Sequence, residues 1–392
     1  MKIHFRTPSA IGLLSAVLLI SSLHISAASK LKDPDEQPDS VYRWPLVTAS
    51  KLVEAPAIDG KVGKAEWTRA ARSAPMVRWR GEGEGLLTDD LACYWIGYTD
   101  EALFLAWRFD RPPYAIIPKS EGKFDGNWGD DKIEVMLRPK FQHGEQGYNL
   151  VINAKGVRAD RLDHNINWNG DWTAAARVTD KGWEGELSIS FKTMERARPA
   201  AGEMWEILIL RNRRTPENVI AINSYIHKWP GYPHYGYLRF GAESEPAVRV
   251  LEAGPIDESE AGMTIEFVTG DKAAPVKVEA ALLLGPEGSS GFKTEVTVRE
   301  EGLLVPKQVN LNFFDAVAEL GFAKVSEVMK QARPVDRQID LDPDRTVRIP
   351  LRVKVPHGSH SFVYRVRDAA SGKLIAGGAG ALPAEAALRR HH

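Results

Sequence analysis

Short apolar runs separated by turn residues fill the chain from about Leu52 to Phe240, and windows of helical period are few. Leu91 to Tyr98 is aromatic and apolar, Thr99-Asp100-Glu101 reads as a turn, and Leu103 to Phe109 is a second run. Together they predict a β-hairpin. Within Lys132 to Leu137, Ile133, Val135 and Leu137 alternate with Lys132 and Glu134, the two-residue period of a half-buried strand. Further strands are expected over Tyr148 to Asn153, Thr173 to Thr179, Trp183 to Ile189, Trp205 to Asn212, Ile220 to Tyr225 and Tyr237 to Phe240. Such a chain can bury its apolar faces only by stacking or closing sheets, so an all-β sandwich or barrel is expected.

At 392 residues the chain has room for two or three domains. Residues 1–28 have the form of a signal peptide: Lys2 and Arg6, an apolar run from Ile11 to Leu23, then the small residues Ser26, Ala27 and Ala28. Export to the periplasm or the extracellular space is therefore expected, and no later stretch reads as a transmembrane segment. Residues 29–49 are polar and Pro-rich and read as a linker. A formal net charge of -1 lacks the basic excess of nucleic-acid binders, so no nucleic-acid partner is expected. The one cysteine, Cys93, rules out an intrachain disulfide and a Cys-rich zinc site, so an exported chain must be held by its core.

The first module is expected over 50–241. A boundary falls in Gly241-Ala-Glu-Ser-Glu-Pro246, and all 11 tryptophans precede residue 230. Residues 246–382 again read as strands: Val248 to Ala253, Met263 to Val268, Val276 to Leu284, Thr294 to Val298, Thr346 to Val355 and Ser361 to Arg367. Between them Val317, Leu320, Val325 and Met329 recur at helical intervals, predicting one inserted helix over Phe313 to Gln331. This half reads as an immunoglobulin-like β-domain, with a flexible tail over 383–392.

No nucleophile elbow, zinc-protease helix, phosphate-binding loop or dinucleotide fingerprint occurs. The carboxylates Asp125, Asp130, Asp131, Glu134, Asp160, Asp163 and Asp171 leave a polysaccharide hydrolase or lyase as one alternative. His164, His227, His234 and Met204 leave a haem-binding electron-transfer module as another, though no Cys-x-x-Cys-His motif is present. A structural envelope or adhesion module is a third. More informative are tryptophans in polar, Gly-rich or Pro-rich loops: Trp128 in Phe124-Asp-Gly-Asn-Trp-Gly-Asp-Asp131, Trp229 in His227-Lys-Trp-Pro-Gly-Tyr232, and Trp168 and Trp172. A flat indole can lie against the C–H face of a pyranose while Asn127, Asn153 or Tyr232 bonds its hydroxyls. Asp125, Asp130 and Asp131 could form an oxygen cage for structural calcium. Asn165-x-Asn167-x-Asn169-Gly170 imitates an EF-hand start but has Ala176 where the bidentate Glu belongs.

Six segments, in order, resemble the family 9 carbohydrate-binding modules. They are Ala57-Ile-Asp-Gly through Glu66-Trp67, Tyr98 to Trp107, Trp128 to Pro139, Tyr148 to Asn153, Lys181 to Phe191 and Tyr235 to Phe240. The resemblance covers about residues 50–241. It implies a β-sandwich that sometimes holds calcium and a terminal sugar clamped between two tryptophans. Trp128 matches the first by motif position, Trp229 the second within a shifted loop, and Asn153 a hydroxyl-binding Asn. Val151 stands where the family has a sugar-binding Arg, and Ser190 where it has a Pro. The expectation is a non-catalytic binder of polysaccharide or oligosaccharide.

Overall fold

The structure, a computed structural model, describes residues 34–36, 39–79, 85–88, 90, 92–110, 116–119, 129–139, 147–163, 165–215, 219–223, 235–256, 259–284, 292–300, 303–311, 313–354 and 360–382. The first half holds β1 (Leu46–Lys51), β2 (Ala71–Arg72), β3 (Val77–Trp79), β4 (Cys93–Tyr98), β5 (Ala102–Asp110), β6 (Lys132–Arg138), β7 (Tyr148–Asn153), β8 (Arg158–Leu162), β9 (Trp172–Val178), β10 (Gly182–Ser190), β11 (Met204–Arg213), β12 (Val219–Ile222) and β13 (Gly236–Phe240). The second holds β14 (Ala247–Pro255), β15 (Glu260–Val268), β16 (Val276–Leu284), β17 (Phe292–Glu300), β18 (Leu303–Leu311), α1 (Phe313–Leu320), α2 (Phe322–Val328), β19 (Lys330–Ile339), β20 (Thr346–Lys354), β21 (His360–Asp368) and β22 (Leu374–Leu382).

In the first half, the front sheet runs β8-β7-β6-β11. The far edge of β11 is then shared, β13 pairing with its start and β12 with its end. β1 lies parallel to β13. The back sheet runs β9-β10-β5-β4-β2. Period-two alternation sends Ile133, Val135 and Leu137 into the space between the sheets, with Trp107, Trp183 and Trp205. The Trp107 and Trp183 rings meet edge to face at 5.8 Å. This is the all-β sandwich that the strand pattern predicts.

The second half is a seven-stranded sandwich, β14-β15-β20 against β19-β16-β21-β22. The chain crosses between the sheets from β15 to β16, from β19 to β20 and from β20 to β21, as in immunoglobulin-like domains. The expected helical insertion is present but broken at Gly321, whose φ of 82° separates α1 from α2. Lys330 and Gln331 belong to β19 rather than to the helix, paired with Leu284 and Leu283. The hairpin β17–β18 pairs only with itself among the described strands.

The two sandwiches are joined by hydrogen bonds as well as by chain. Leu46 of β1 bridges Gly377 of β22, and Arg72 of β2 bridges Arg249 of β14. One apolar cluster runs from Leu208, Leu210 and Tyr237 of the first half into Phe267, Phe362 and Val366 of the second. The segment expected to be a linker contributes to it. Val41, Tyr42 and Trp44 are buried there, and Tyr42 stacks on Phe322 at 3.8 Å. Asp39 accepts the Phe322 N–H at 3.1 Å, Asp35 accepts the Leu374 N–H at 3.2 Å, and residues 46–49 are already strand. The prolines and charges around this strap hide the apolar side chains that pin it. β22 can lie under the strap because it is built of small residues. A Cβ on Gly377 would sit 3.2 Å from Val41, and one on Gly380 would sit 2.1 Å from Phe362.

Among the described residues no helix is long and apolar enough to cross a membrane.

Candidate functional site

Several motif residues serve the fold rather than a ligand. The segment from Ile58 to Trp67 lies across the outer face of the back sheet, where Val62, Trp67, Phe104 and Ala106 make a small core. Glu186 of β10 is the clasp. Its carboxylate accepts Trp67 Nε1–H at 2.8 Å and the N–H groups of Asp59 and Gly60 at 3.2 and 3.1 Å. Gly60 has φ 81°, the left-handed region. Desolvation pushes the Glu186 carboxyl up, against the pull of these donors. Gly185, in the same motif, leaves room for Trp107, whose ring would lie 2.4 Å from a Cβ there.

Trp168 and Trp172 turn inward. Trp172 is buried and donates Nε1–H to Asp160 at 3.0 Å, and Asp160 also accepts the Gly170 N–H at 2.8 Å. Trp168 meets Tyr148 at 5.5 Å and lies over Gly170, where a Cβ would be 2.3 Å from the ring.

Trp128, Asn127, Asp125, Trp229 and Tyr232 lie outside the described residues. The roots of the segments that carry them are described. Asp130 accepts the Lys119 N–H at 3.0 Å and Asn153 Nδ2–H at 3.0 Å. Asp131 accepts the Ile117 N–H at 2.7 Å and the Arg214 N–H at 3.4 Å, while its own N–H donates to Ile117 O at 2.9 Å. All four carboxylate oxygens thus accept an N–H donor, and Asp125, the third residue of the expected calcium cage, lies outside the described residues. Among the described residues no three Asp, Glu, His or Cys side chains gather as metal ligands. These aspartates instead tie residues 117 and 119 to residues 130 and 131, closing the base of the Trp128 segment.

Asn153, expected to bond a sugar hydroxyl, belongs to the same fastening. It is fully buried, and its Oδ1 accepts the Lys155 and Val157 N–H groups at 3.0 Å each. Sequence alone does not separate an amide that bonds a ligand from one that bonds its own turn.

The Trp229 segment leaves the same sheet on the other side of β11. Ile222 pairs with Leu210, and Gly236 with Ile207. Asn223 fills the step between them, accepting the Ile209 N–H at 2.7 Å and donating to Ile207 O at 3.4 Å. Lys132, at the root of the Trp128 segment, pairs with Asn212. Two strand spacings and two residues of rise separate Lys132 from Ile222, roughly 10–12 Å.

Around these roots the outer face of the front sheet carries polar side chains that sequence reasoning passed over. Alternating Lys132, Glu134, Met136 and Arg138 looks like a solvated strand face. Lys132 and Glu134 are instead buried and paired at 2.7 Å. Desolvation lowers the Lys132 pKa, and Glu134 opposes the shift. Arg138 sits 3.7 Å from Glu206 and 4.1 Å over the Tyr235 ring. Burial pushes the Glu206 carboxyl up to about 6, with Arg138 holding it back. Buried Asn149 Oδ1 and Arg138 Nε have no hydrogen-bond partner among the described residues. Their signal in the sequence is the strand alternation itself, since residues 132, 134, 136 and 138 share one face.

Fold and site together define a two-sandwich β-protein whose front sheet bears a buried, partly satisfied polar patch. No family model matches the chain, and no curated protein matches it. Among solved structures the chain is similar to a family 9 carbohydrate-binding module from Caldicellulosiruptor kristjanssonii. The complex with cellotriose aligns at 15% identity and a TM-score of 0.38, over 50% of this chain and 94% of that one. The glucose complex aligns at 16% and 0.38, over 50% and 96%. A carbohydrate-binding protein of Bacteroides uniformis, described as putative, aligns at 13% and 0.40, over 50% and 99%.

Proposed function

We propose that this is an exported protein that binds carbohydrate without cleaving it, on the outer face of the front sheet of its first sandwich. Trp128 and Trp229 supply the stacking surfaces. The patch of Glu134, Asn149, Arg138 and Glu206 supplies hydrogen bonds to hydroxyls. One observation carries the reading: buried Asn149 Oδ1 and Arg138 Nε have no hydrogen-bond partner among the described residues, on a face flanked by the roots of both tryptophan segments. An unsatisfied buried polar atom costs about 1–3 kcal/mol, and a hydroxyl-rich ligand is one way to recover it. The six family-like segments support the same reading, because the family they resemble stacks a sugar on the tryptophan that Trp128 matches by motif position. Affinity would come from ring stacking and a few aligned hydrogen bonds, giving a modest constant at one site.

The test is retention on a panel of insoluble polysaccharides, with reducing ends assayed in parallel. The wild-type chain should be retained by at least one polysaccharide and release no sugar. Trp128→Ala and Trp229→Ala should each lose retention while melting like the wild type. Unchanged retention in both variants would remove the tryptophans from the site.

A further inference from the structure

On the opposite sheet a cleft of about 270 Å³ opens where the two sandwiches meet. Its walls come from residues far apart in the chain: Lys64 and Trp67 from the segment clasped by Glu186, Trp95 and Arg108 from β4 and β5, Arg249 and Leu251 from β14, Glu266 from β15, and Arg348 from β20. Neither sandwich alone has this cleft. Four cationic side chains, Lys64, Arg108, Arg249 and Arg348, face it against the single carboxylate of Glu266.

The positive charge is only partly spent. Glu266 is buried between two arginines, 2.9 Å from Arg249 and 2.7 Å from Arg348. Arg108 is held by Glu184 at 2.8 Å and by Val62 O at 2.6 Å, and Arg177 shares that same Glu184. Arg249 Nε is buried with no hydrogen-bond partner among the described residues. Desolvation pulls the Arg249 pKa down, Glu266 opposes this, and Arg72 and Arg348 add to it. Lys64 is exposed and makes no ion pair among the described residues. The apolar part of the lining is buried Val62 and Trp67 with half-buried Trp95 and Leu251. Arg72 lies over the Trp95 ring at 5.5 Å.

We infer that this inter-sandwich cleft binds a carboxylate-bearing sugar residue, a uronate of an acidic saccharide. A bare inorganic anion would satisfy the cations but leave the indole and Leu251 without a partner. A neutral sugar would leave two or three positive charges uncompensated in a half-enclosed space. A uronate answers both, with its ring against the apolar wall and its carboxylate against Lys64 and the N–H groups of Arg348 that Glu266 does not occupy. The volume admits one ring-sized ligand. This site is separate from the front-sheet face and does not depend on Trp128 or Trp229.

The test is isothermal titration of the full chain with trigalacturonate and with uncharged cellotriose, at low and high salt. Trigalacturonate should bind, and salt should weaken it. The double variant Lys64→Gln/Arg348→Gln should bind it roughly tenfold or more weakly, as expected for losing charge-assisted hydrogen bonds. Lys64→Gln alone, at an exposed position without an ion pair among the described residues, should bind it more weakly while melting like the wild type. Trp128→Ala, titrated alongside, reports on the front-sheet face. The inference is overturned if the wild-type chain does not bind trigalacturonate, or if the double variant binds it unchanged. It is equally overturned if binding is lost in Trp128→Ala alone.

Discussion

At the scale of single residues, the chain uses carboxylates as fasteners. Glu186, Asp130, Asp131 and Asp160 each gather N–H donors that a loop would otherwise leave unpaired. Glu206 is the exception, because its burial is not matched by its one distant arginine. Its folded pKa of about 6 lies above the ordinary 4.5. The folded state therefore holds that proton more tightly than the unfolded state. The carboxylate costs stability at neutral pH, and the cost disappears as pH falls from about 6 to below 4.5. Glu206→Gln should remove this slope and stabilise the protein above pH 7 by up to about 2 kcal/mol. Urea unfolding of both proteins at pH 5 and pH 7.5 checks this; a variant less stable at the higher pH would contradict it. Gly185→Ala tests packing instead. Its new methyl would meet Trp107 at 2.4 Å and Ala175 O at 2.8 Å, and such overpacking costs about 1–3 kcal/mol, readable as a lower urea midpoint.

At the scale of elements, alternation and turns made most of the sheet legible. The hairpin of β4 and β5 follows from two apolar runs around the Thr99–Glu101 turn, and the inward set Ile133, Val135 and Leu137 from period two. What stayed hidden was decided by partners distant in the chain. Val41, Tyr42 and Trp44 sit among prolines and charges, so the strap reads as a linker until Phe322 and β22 are beside it. β22 itself is too rich in Gly and Ala to read as a strand, and its small residues make sense only with Val41 and Phe362 against them. Likewise the polar face of β6 looks solvated until it is found buried. An element-level prediction follows for the fragment 50–241. It lacks residues 46–49, which pair with Tyr237 to Phe240, and it exposes Leu208, Leu210 and Tyr237. It should aggregate on expression, whereas a fragment beginning at residue 34 and ending at 382 should be monodisperse by size-exclusion chromatography. A soluble, folded 50–241 would count against the strap.

At the scale of the whole molecule, the bridges from β1 to β22 and from β2 to β14, with one apolar cluster crossing the boundary, make the halves a single mechanical body. Calorimetry should show one unfolding transition for the 34–382 unit. Two resolved transitions would mean that the shared cluster contributes little. This union also creates the arginine-lined cleft on the back sheet, while the front sheet keeps the face between the tryptophan roots. A crystal structure of the full chain grown with a retained oligosaccharide is the decisive test of carbohydrate binding on that face. One sugar ring should lie between Trp128 and Trp229, with hydroxyls within hydrogen-bond distance of Asn149 or Arg138. A sugar bound elsewhere, or both indoles packed into the interior with no ring between them, would contradict it.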